Sequence, residues 1–262
     1  MISVIGIPTD KNSSYMPGAS KAPSIILEEF NSEARNQFSE NGLDLGKKNI
    51  WTDLGNMALE DSDSEFESIS NAIQMELKNN NYCISIGGDH SITYPILDGY
   101  QKFYPKINVL HFDAHPDLYE NFDDNPYSHA SPFARIMENG LAHSLTQIGI
   151  RTMNDHQNDQ AKRYNVKVIT MNEFSSDLKF AFEDPIYISI DLDGIDPAFA
   201  PGVSHPEPGG LSTRALLKIL SNIQGKIIGA DIVEYNPNND INNITAITAA
   251  KLLKELMGKI LE

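Results

Sequence analysis

The chain alternates short, β-rich apolar runs with stretches of helical periodicity, and this alternation restricts its fold more than any other feature. Eight runs are typical of strands: residues 2–5, 50–53, 82–86, 107–112, 145–148, 166–169, 186–190 and 227–232. Between them, apolar residues recur at spacings of three and four, as in Phe66, Ile69, Ile73 and Leu77. Alternating β and α elements predict an α/β protein with a parallel sheet and helices on both faces. No long linker divides the chain, so we expect residues 1–262 to form a single domain.

Composition and charge exclude several classes of protein. Cys83 is the only cysteine, so no intramolecular disulfide can form, and we expect a reducing compartment, the cytoplasm. The formal net charge of −16 argues against a nucleic-acid partner, which needs a basic face. Apolar runs fall far short of the roughly 18–20 residues of a membrane span, and residues 1–6 lack a signal-peptide pattern. We therefore predict a cytoplasmic protein with neither nucleic-acid nor membrane partners.

Metal-capable side chains follow three of the predicted strands. The segments are Gly87-Gly88-Asp89-His90-Ser91, Asp113-Ala114-His115-Pro116-Asp117 and Asp191-Leu192-Asp193. In extended backbone every second side chain points to the same face, so Asp113, His115 and Asp117 can share an ion. Ligands of parallel sheets bind beyond the carboxyl ends of the strands, and carboxylates crowded there repel one another unless a cation neutralises them. Two neighbouring aspartates have structural readings instead, because Asp89 and Asp196 can each cap a helix or turn.

The donor set indicates a two-metal site. Its members are two imidazoles and four carboxylates: His90, His115, Asp113, Asp117, Asp191 and Asp193. Four carboxylates balance two divalent cations, and an oxygen-rich set without thiolates favours Mn²⁺ over structural Zn²⁺. Two metal ions roughly 3.5–4 Å apart can lower the pKa of a shared water molecule. The sequence therefore predicts two Mn²⁺ per chain and a hydrolytic reaction at carbon or phosphorus.

These three segments resemble the signatures of the ureohydrolases, the binuclear manganese family that contains arginase and agmatinase. The third match extends over Ser189-Ile190-Asp191-Leu192-Asp193-Gly194-Ile195-Asp196-Pro197. The resemblance covers nearly the whole chain and implies a three-layer α/β/α sandwich around an eight-stranded, mainly parallel sheet. It also implies a homo-oligomer, a trimer or hexamer.

The same resemblance implies the ligand sets and the residues that act on substrate. One manganese is held by His90, Asp113, Asp117 and Asp191, and the other by His115, Asp113, Asp191 and Asp193, with Asp113 and Asp191 bridging. Glu234 matches the glutamate that pairs with the substrate guanidinium, and His129 matches the proton-shuttle histidine. Their chemistry fits these roles, because a carboxylate binds a planar guanidinium and an imidazole titrates near neutral pH.

The substrate's tail is less well defined by the sequence. The motifs are most similar to those of plant-type arginases, which favours hydrolysis of L-arginine to L-ornithine and urea. However, Tyr119 stands where animal-type arginases have an asparagine that reads the amino-acid end of arginine, and Asn121 stands where agmatinases tend to have one. We expect the loop with Tyr119, Asn121 and Tyr127 to contact the tail, and His205 is a candidate for the pocket wall.

Other functions stay open at this point. Agmatine, converted to putrescine and urea, or another guanidino or formimino compound is the rival substrate. Relatives of the histone deacetylases share the fold but use one zinc ion. A non-catalytic protein stabilised by metal is the alternative from outside the enzymes.

Overall fold

The eight predicted strands are confirmed and form one sheet in a computed structural model that describes residues 1–59 and 64–262. The strands are β1 (Ile2–Ile7), β2 (Trp51–Asn56), β3 (Tyr82–Gly87), β4 (Asn108–Phe112), β5 (Ser144–Ile150), β6 (Lys167–Thr170), β8 (Ile186–Asp191) and β10 (Ile227–Val233). Their order across the sheet is β2-β1-β3-β10-β8-β4-β5-β6, and every pair is parallel. A separate pair, β7 (Phe180–Ala181) and β9 (Ile223–Gln224), was not predicted, because two residues are too few to show a period.

The described residues form seven α-helices, six of which lie between strands, while the last follows the final strand. They are α1 (Ala22–Phe30), α2 (Glu65–Lys78), α3 (Thr93–Gln101), α4 (Pro132–Glu138), α5 (Asp155–Arg163), α6 (Thr213–Asn222) and α7 (Ile244–Ile260). The helix predicted from Phe66, Ile69, Ile73 and Leu77 is α2. Pro23 lies in the first turn of α1, where its missing N–H has no helical partner to lose.

Side chains of the buried strands alternate between two cores, one on each face of the sheet. In β3, Ile84 and Ile86 pack into the core with α1, α6 and α7, whereas Cys83 packs into the core with α2, α3, α4 and α5. In β4, Leu110 and Val109 divide in the same way. Helices on both faces of a sheet make three layers, so the predicted α/β/α architecture is confirmed. Within the described residues, no helix is long and apolar enough to cross a lipid bilayer.

The parallel arrangement places the carboxyl ends of all eight strands at one edge of the sheet. β10 lies between β3 and β8, and β8 pairs with β4 on its other side. These four central strands are followed by the four segments that carry the predicted functional residues. The fold therefore brings together residues that are up to 144 positions apart, such as His90 and Glu234.

Candidate metal centre and active-site cavity

Four predicted ligands meet in a first buried cluster at the ends of β3, β4 and β8. His90 Nδ1 lies 3.3 Å from Asp113 Oδ2, 3.0 Å from Asp117 Oδ2 and 3.1 Å from Asp191 Oδ2. All four residues are buried, and one donor atom of each lies within 4.8 Å of the others. Asp117 adopts a left-handed backbone with φ of 48°, a conformation unusual outside glycine and often found at functional sites. This cluster has the composition and spacing of a site for a hard cation.

Hydrogen bonds behind His90 leave its Nδ1 lone pair free for a metal ion. Ser189 Oγ donates to Asp231 Oδ1 at 2.6 Å, so it must accept from His90 Nε2, 3.0 Å away. Asp231 is fully buried and also accepts from Tyr187 and Thr93. With Nε2 bonded to Ser189, Nδ1 is the ring atom that faces the carboxylates and has no hydrogen-bond partner among the described residues. Burial opposes protonation of His90, but Asp113, Asp117 and Asp191 outweigh it and raise the pKa of the imidazole well above its usual range. The orphaned nitrogen facing three carboxylates therefore fits a bound cation.

A second cluster contains Asp113, His115 and Asp193. His115 Nδ1 lies 3.0 Å from Asp193 Oδ2 and 3.5 Å from Asp113 Oδ1. Asp113 thus offers one oxygen to each cluster, the geometry of a bridging ligand. Asp191, the other expected bridge, joins only the first cluster, because its Oδ1 accepts from the backbone amide of Asp193 at 2.8 Å.

His111 orients the shared carboxylate. Its Nε2 lies 2.7 Å from Asp113 Oδ2, and its Nδ1 lies 3.1 Å from the amide nitrogen of Gln147. Burial lowers the pKa of His111, despite the neighbouring Asp113. The neutral ring therefore donates from Nε2 to Asp113 and accepts from Gln147 at Nδ1. His111 is therefore fully buried with both ring nitrogens hydrogen-bonded.

The electrostatics of both clusters call for positive charge. Burial, followed by the charges of Asp193 and Asp113, raises the pKa of Asp191 well above its usual range. Burial and the charge of Asp113 raise the pKa of Asp193 to about 7. Burial opposes protonation of His115, but the surrounding carboxylates outweigh it and raise its pKa to about 12. Without metal ions, bound protons therefore neutralise the negative charge of the carboxylates, a role that divalent cations would otherwise have.

Glu234 and His129 form a buried pair beside the first cluster. Glu234 follows β10 with φ of 65°, and its Oε1 accepts from the backbone amide of His90 and lies 2.9 Å from His129 Nδ1. Burial opposes ionisation of Glu234, but His129 outweighs it and lowers the pKa of that carboxyl. Burial also opposes protonation of His129, but Glu234 outweighs it and raises the pKa of the imidazole to about 9. Both of these contacts of Glu234 use Oε1.

A cavity of about 200 Å³ opens above these groups. Its walls include six residues from the clusters and the pair: His115, Asp117, Asp191, Asp193, His129 and Glu234. The remaining lining residues are Ser14, Tyr119, Phe122, Ala130, Thr152, Gln157 and His205. Both metal clusters and the Glu234–His129 pair therefore share one cavity, which contains no lysine or arginine among its lining residues.

The predicted tail-contacting residues divide between the cavity and the surface. Tyr119 lines the cavity, and its hydroxyl accepts from the Asn154 side chain at 2.7 Å. Asn121 is exposed and does not line the cavity. Tyr127 is also outside the lining, because its ring packs against Phe66 at a centroid distance of 5.5 Å. The structure therefore brings only one of the three to the candidate site.

Several lining residues escaped the sequence analysis. His205 is not one of them, because it was a candidate for the pocket wall; it lines the cavity with its ring centroid 5.2 Å from that of His129. Ser14 comes from the segment after β1, and Gln157 and Thr152 come from the region around the start of α5. Ser14, Thr152 and Gln157 belong to no motif, so only the fold reveals them. Asp196 is structural, as expected, but it caps a turn by accepting from Ala198 rather than starting a helix.

Comparisons with known proteins match this geometry. Arginase 1, mitochondrial, from Arabidopsis thaliana is 42% identical over 98% of this chain and 80% of its own length. The solved arginase from Medicago truncatula superimposes with a TM-score of 0.94 at 39% identity, covering 99% of this chain and 87% of its own. N(1)-aminopropylagmatine ureohydrolase from Thermus thermophilus is 30% identical over 98% of this chain and 89% of its own length.

The cytoplasmic location predicted from composition is wrong by these comparisons. The Arabidopsis relative is named mitochondrial, and a second from that plant is named chloroplastic/mitochondrial. A single cysteine indicates a reducing environment, which is not unique to the cytoplasm. Composition therefore could not identify the compartment.

The family model described as the arginase family matches residues 1–258. The matched span contains both metal clusters, the Glu234–His129 pair and the cavity that they share. The fold, the buried donor set and the identity to named relatives agree with one another. The chain therefore belongs to the arginase family, metal-dependent hydrolases that act on guanidino C–N bonds.

Proposed function

We propose that this protein hydrolyses L-arginine to L-ornithine and urea with two Mn²⁺ per chain. The observation that carries the proposal is one cavity lined by both His/Asp clusters and by the Glu234–His129 pair. Arginine is favoured as substrate by the identity of about 40% to plant arginases.

One ion would be held by His90, Asp113, Asp117 and Asp191, and the other by Asp113, His115 and Asp193. The oxygen-rich donor set and the absence of thiolates from both clusters favour Mn²⁺. When bound, the two ions supply activation of water at neutral pH.

Glu234 would bind and orient the guanidinium. Its Oε1 already accepts from two donors, so Oε2 is the oxygen available to a planar N–H donor entering the cavity. Holding the guanidinium there fixes the reacting carbon against the metal clusters. His129 would carry the proton that the leaving amine requires. Its Nδ1 is hydrogen-bonded to Glu234, whereas its Nε2 faces Ser14 at the cavity wall.

Agmatine is the second candidate substrate, and one observation favours it. Among the lining residues, no lysine or arginine is present to pair with the carboxylate of arginine. A cavity without these side chains suits a tail that ends without a carboxylate. The relative named N(1)-aminopropylagmatine ureohydrolase supports this alternative for the same fold.

Urea release from Mn²⁺-loaded protein, with arginine and agmatine compared by kcat/KM, tests the proposal. Elemental analysis of the same samples counts the metal ions per chain. We expect two ions, higher kcat/KM with arginine, and loss of urea release in Asp113→Ala. The surface variant Asp159→Ala, whose side chain is 77% exposed, is the control and should retain activity. Activity in Asp113→Ala, or no urea from either substrate, would refute the proposal.

We further infer a homo-oligomer, a trimer or hexamer, from the family resemblance. Light scattering coupled to gel filtration on the full chain measures the mass of the assembly against the 29.1 kDa chain. A monomer would overturn this inference without affecting the proposed reaction.

A further inference from the structure

Ser14 lies against His129 on the side opposite Glu234. Its Oγ is 2.8 Å from His129 Nε2, and Glu234 Oε1 is 2.9 Å from His129 Nδ1. Both ring nitrogens of the histidine are therefore engaged, by groups that are 105 and 115 residues away in the sequence. Ser14 also lines the cavity.

The segment that carries Ser14, residues 10–18, is fastened on both sides of it; we name it the N-terminal strap. On one side, Asn12 donates from its backbone to Asp89 Oδ2, and its carbonyl accepts from the backbone amide of His129. On the other side, the carbonyl of Met16 accepts from Asn236 at 2.8 Å and from Ser204 at 2.9 Å. The strap thus has a defined position relative to the ring that Ser14 contacts.

Asn236 joins the strap to the loop of Glu234. It lies two residues after Glu234, is fully buried, and donates to the Met16 carbonyl. A Cβ at Gly18 would lie 2.2 Å from the Asn236 side chain, so only glycine allows this close approach. Ser14 and Glu234, which contact the two ring nitrogens of His129, therefore belong to segments that are hydrogen-bonded to each other.

The chemistry of a hydroxyl suits this position. Because a carboxylate only accepts, His129 Nδ1 carries a proton in both of its charge states. Nε2 is then an acceptor in the neutral imidazole and a donor in the imidazolium. The Ser14 hydroxyl can donate to the first and accept from the second by rotating, so one side chain serves both states.

We propose that Ser14 is a positioning residue that fixes the imidazole plane of His129 and holds Nε2 at the cavity wall. The hydrogen bond at Nδ1 restrains rotation about the Cβ–Cγ bond from one side of the ring, and the bond to Ser14 at Nε2 restrains it from the other side as well. The proposal rests on the proposed function of His129 as the proton carrier. It adds a residue outside every sequence motif to the reaction.

Three variants of Ser14 and one of its neighbour test the proposal in the Mn²⁺-loaded protein. Ser14→Thr keeps the hydroxyl. Ser14→Val has the shape of threonine without the hydroxyl, and Ser14→Ala removes the hydroxyl without adding bulk. Ser14 is exposed, so the added methyl groups have room. Ser13→Ala is the control, since this neighbour does not line the cavity.

We expect Ser14→Val and Ser14→Ala to lower kcat by about tenfold, equivalent to about 1.4 kcal/mol, with KM within about twofold of wild type. Ser14→Thr and Ser13→Ala should stay within about twofold in both constants. The alkaline limb of the kcat–pH profile should move in Ser14→Val and not in Ser14→Thr. A Val variant equal to wild type, or a Thr variant as impaired as Val, would overturn the proposal.

A second readout is independent of activity. In metal-free protein with ¹⁵N-labelled histidine, the Nε2 resonance of neutral His129 should shift downfield in Ser14→Val, as for a nitrogen that loses its donor. Ser14→Thr should keep the wild-type position, and an unchanged Val spectrum would contradict the proposal. If wild type released no urea, the proposed function would fail while this spectrum still decided the role of Ser14.

Discussion

Replacing Asp231 by asparagine should weaken metal binding at a site that the residue never touches. Asp231 accepts from the hydroxyls of Ser189, Tyr187 and Thr93 at 2.6, 2.9 and 3.0 Å. An amide has one oxygen and one NH₂ group, so it cannot accept from all three. If the NH₂ faces Ser189, the Ser189 hydroxyl turns to donate to His90 Nε2, and the histidine's own proton moves to Nδ1.

That tautomer places a proton on the atom that faces the three carboxylates of the first cluster. Hydrogen-bond partners of metal-binding histidines typically contribute roughly 10–100-fold to metal affinity, and we expect Asp231→Asn to lose that much. In the other orientation of the amide, the NH₂ group faces Tyr187 and Thr93, and one buried hydroxyl left without an acceptor costs about 1–3 kcal/mol in the free energy of unfolding. For a chain of this size that corresponds to a fall in Tm of roughly 2–12 °C.

Competition with a chelator of known Mn²⁺ affinity measures the first effect, and thermal unfolding of metal-free protein measures the second. Asp240→Asn is the matched control, because Asp240 also accepts from a tyrosine hydroxyl but caps α7 away from both clusters. The control should lose stability without losing metal affinity. Wild-type metal affinity in Asp231→Asn would refute the tautomer argument.

His129→Gln should lower kcat by roughly 10²–10⁴-fold with unchanged metal content, because the proton carrier is lost but no metal ligand is. Urea release measures kcat, and elemental analysis measures the metal content. Loss of metal would count against His129 as the proton carrier. Metal-free protein should lose stability as pH rises from about 6.5 to 9. His129 has a pKa of about 9 when folded and about 6.5 when unfolded, so the folded chain binds the proton more tightly between these values. For His129 alone, raising the pH through that window removes about 3 kcal/mol, and His115, with a folded pKa of about 12, adds to the loss. Urea denaturation at both pH values measures the change, and a rise in stability would contradict it. Gly88→Ala should prevent assembly of the first cluster, because its Cβ would lie 1.6 Å from the carbonyl oxygen of Thr9. Circular dichroism and metal content check this result against Gly140→Ala, which has open space, carries only the strain of φ 64° and should cost about 1 kcal/mol.

The strands and the clustered His and Asp residues could be predicted because their signals are local. A buried parallel strand is a short apolar run, and Asp113, His115 and Asp117 follow one such run at every second position. The parallel topology then brings three separate segments together without any long-range information. The buried state of His111 and Cys83 follows from the same runs.

Contacts between distant segments could not be predicted in this way. Nothing near Ser14 in the sequence indicates that it meets His129, and nothing near Asp231 indicates that it acts on His90 through Ser189. Sequence proximity also misled, because Tyr127 lies two residues from His129 but packs on Phe66 of α2. Side-chain direction in an irregular loop depends on what packs against it, which periodicity does not report.

The position of β10 within the sheet has a consequence for how the protein folds. It pairs with β3 on one side and β8 on the other, so those two strands lie about 9.5 Å apart with the last strand between them. His90 follows the first of these strands, and Asp191 ends the second. Until residues 227–233 insert, the strands that carry His90 and Asp191 are not held at this distance. Bringing those two residues together also requires closing a loop of about 100 residues. The first cluster, which needs His90 from β3, therefore cannot assemble before the last strand inserts, whereas the second cluster lies on β4 and β8, which pair directly.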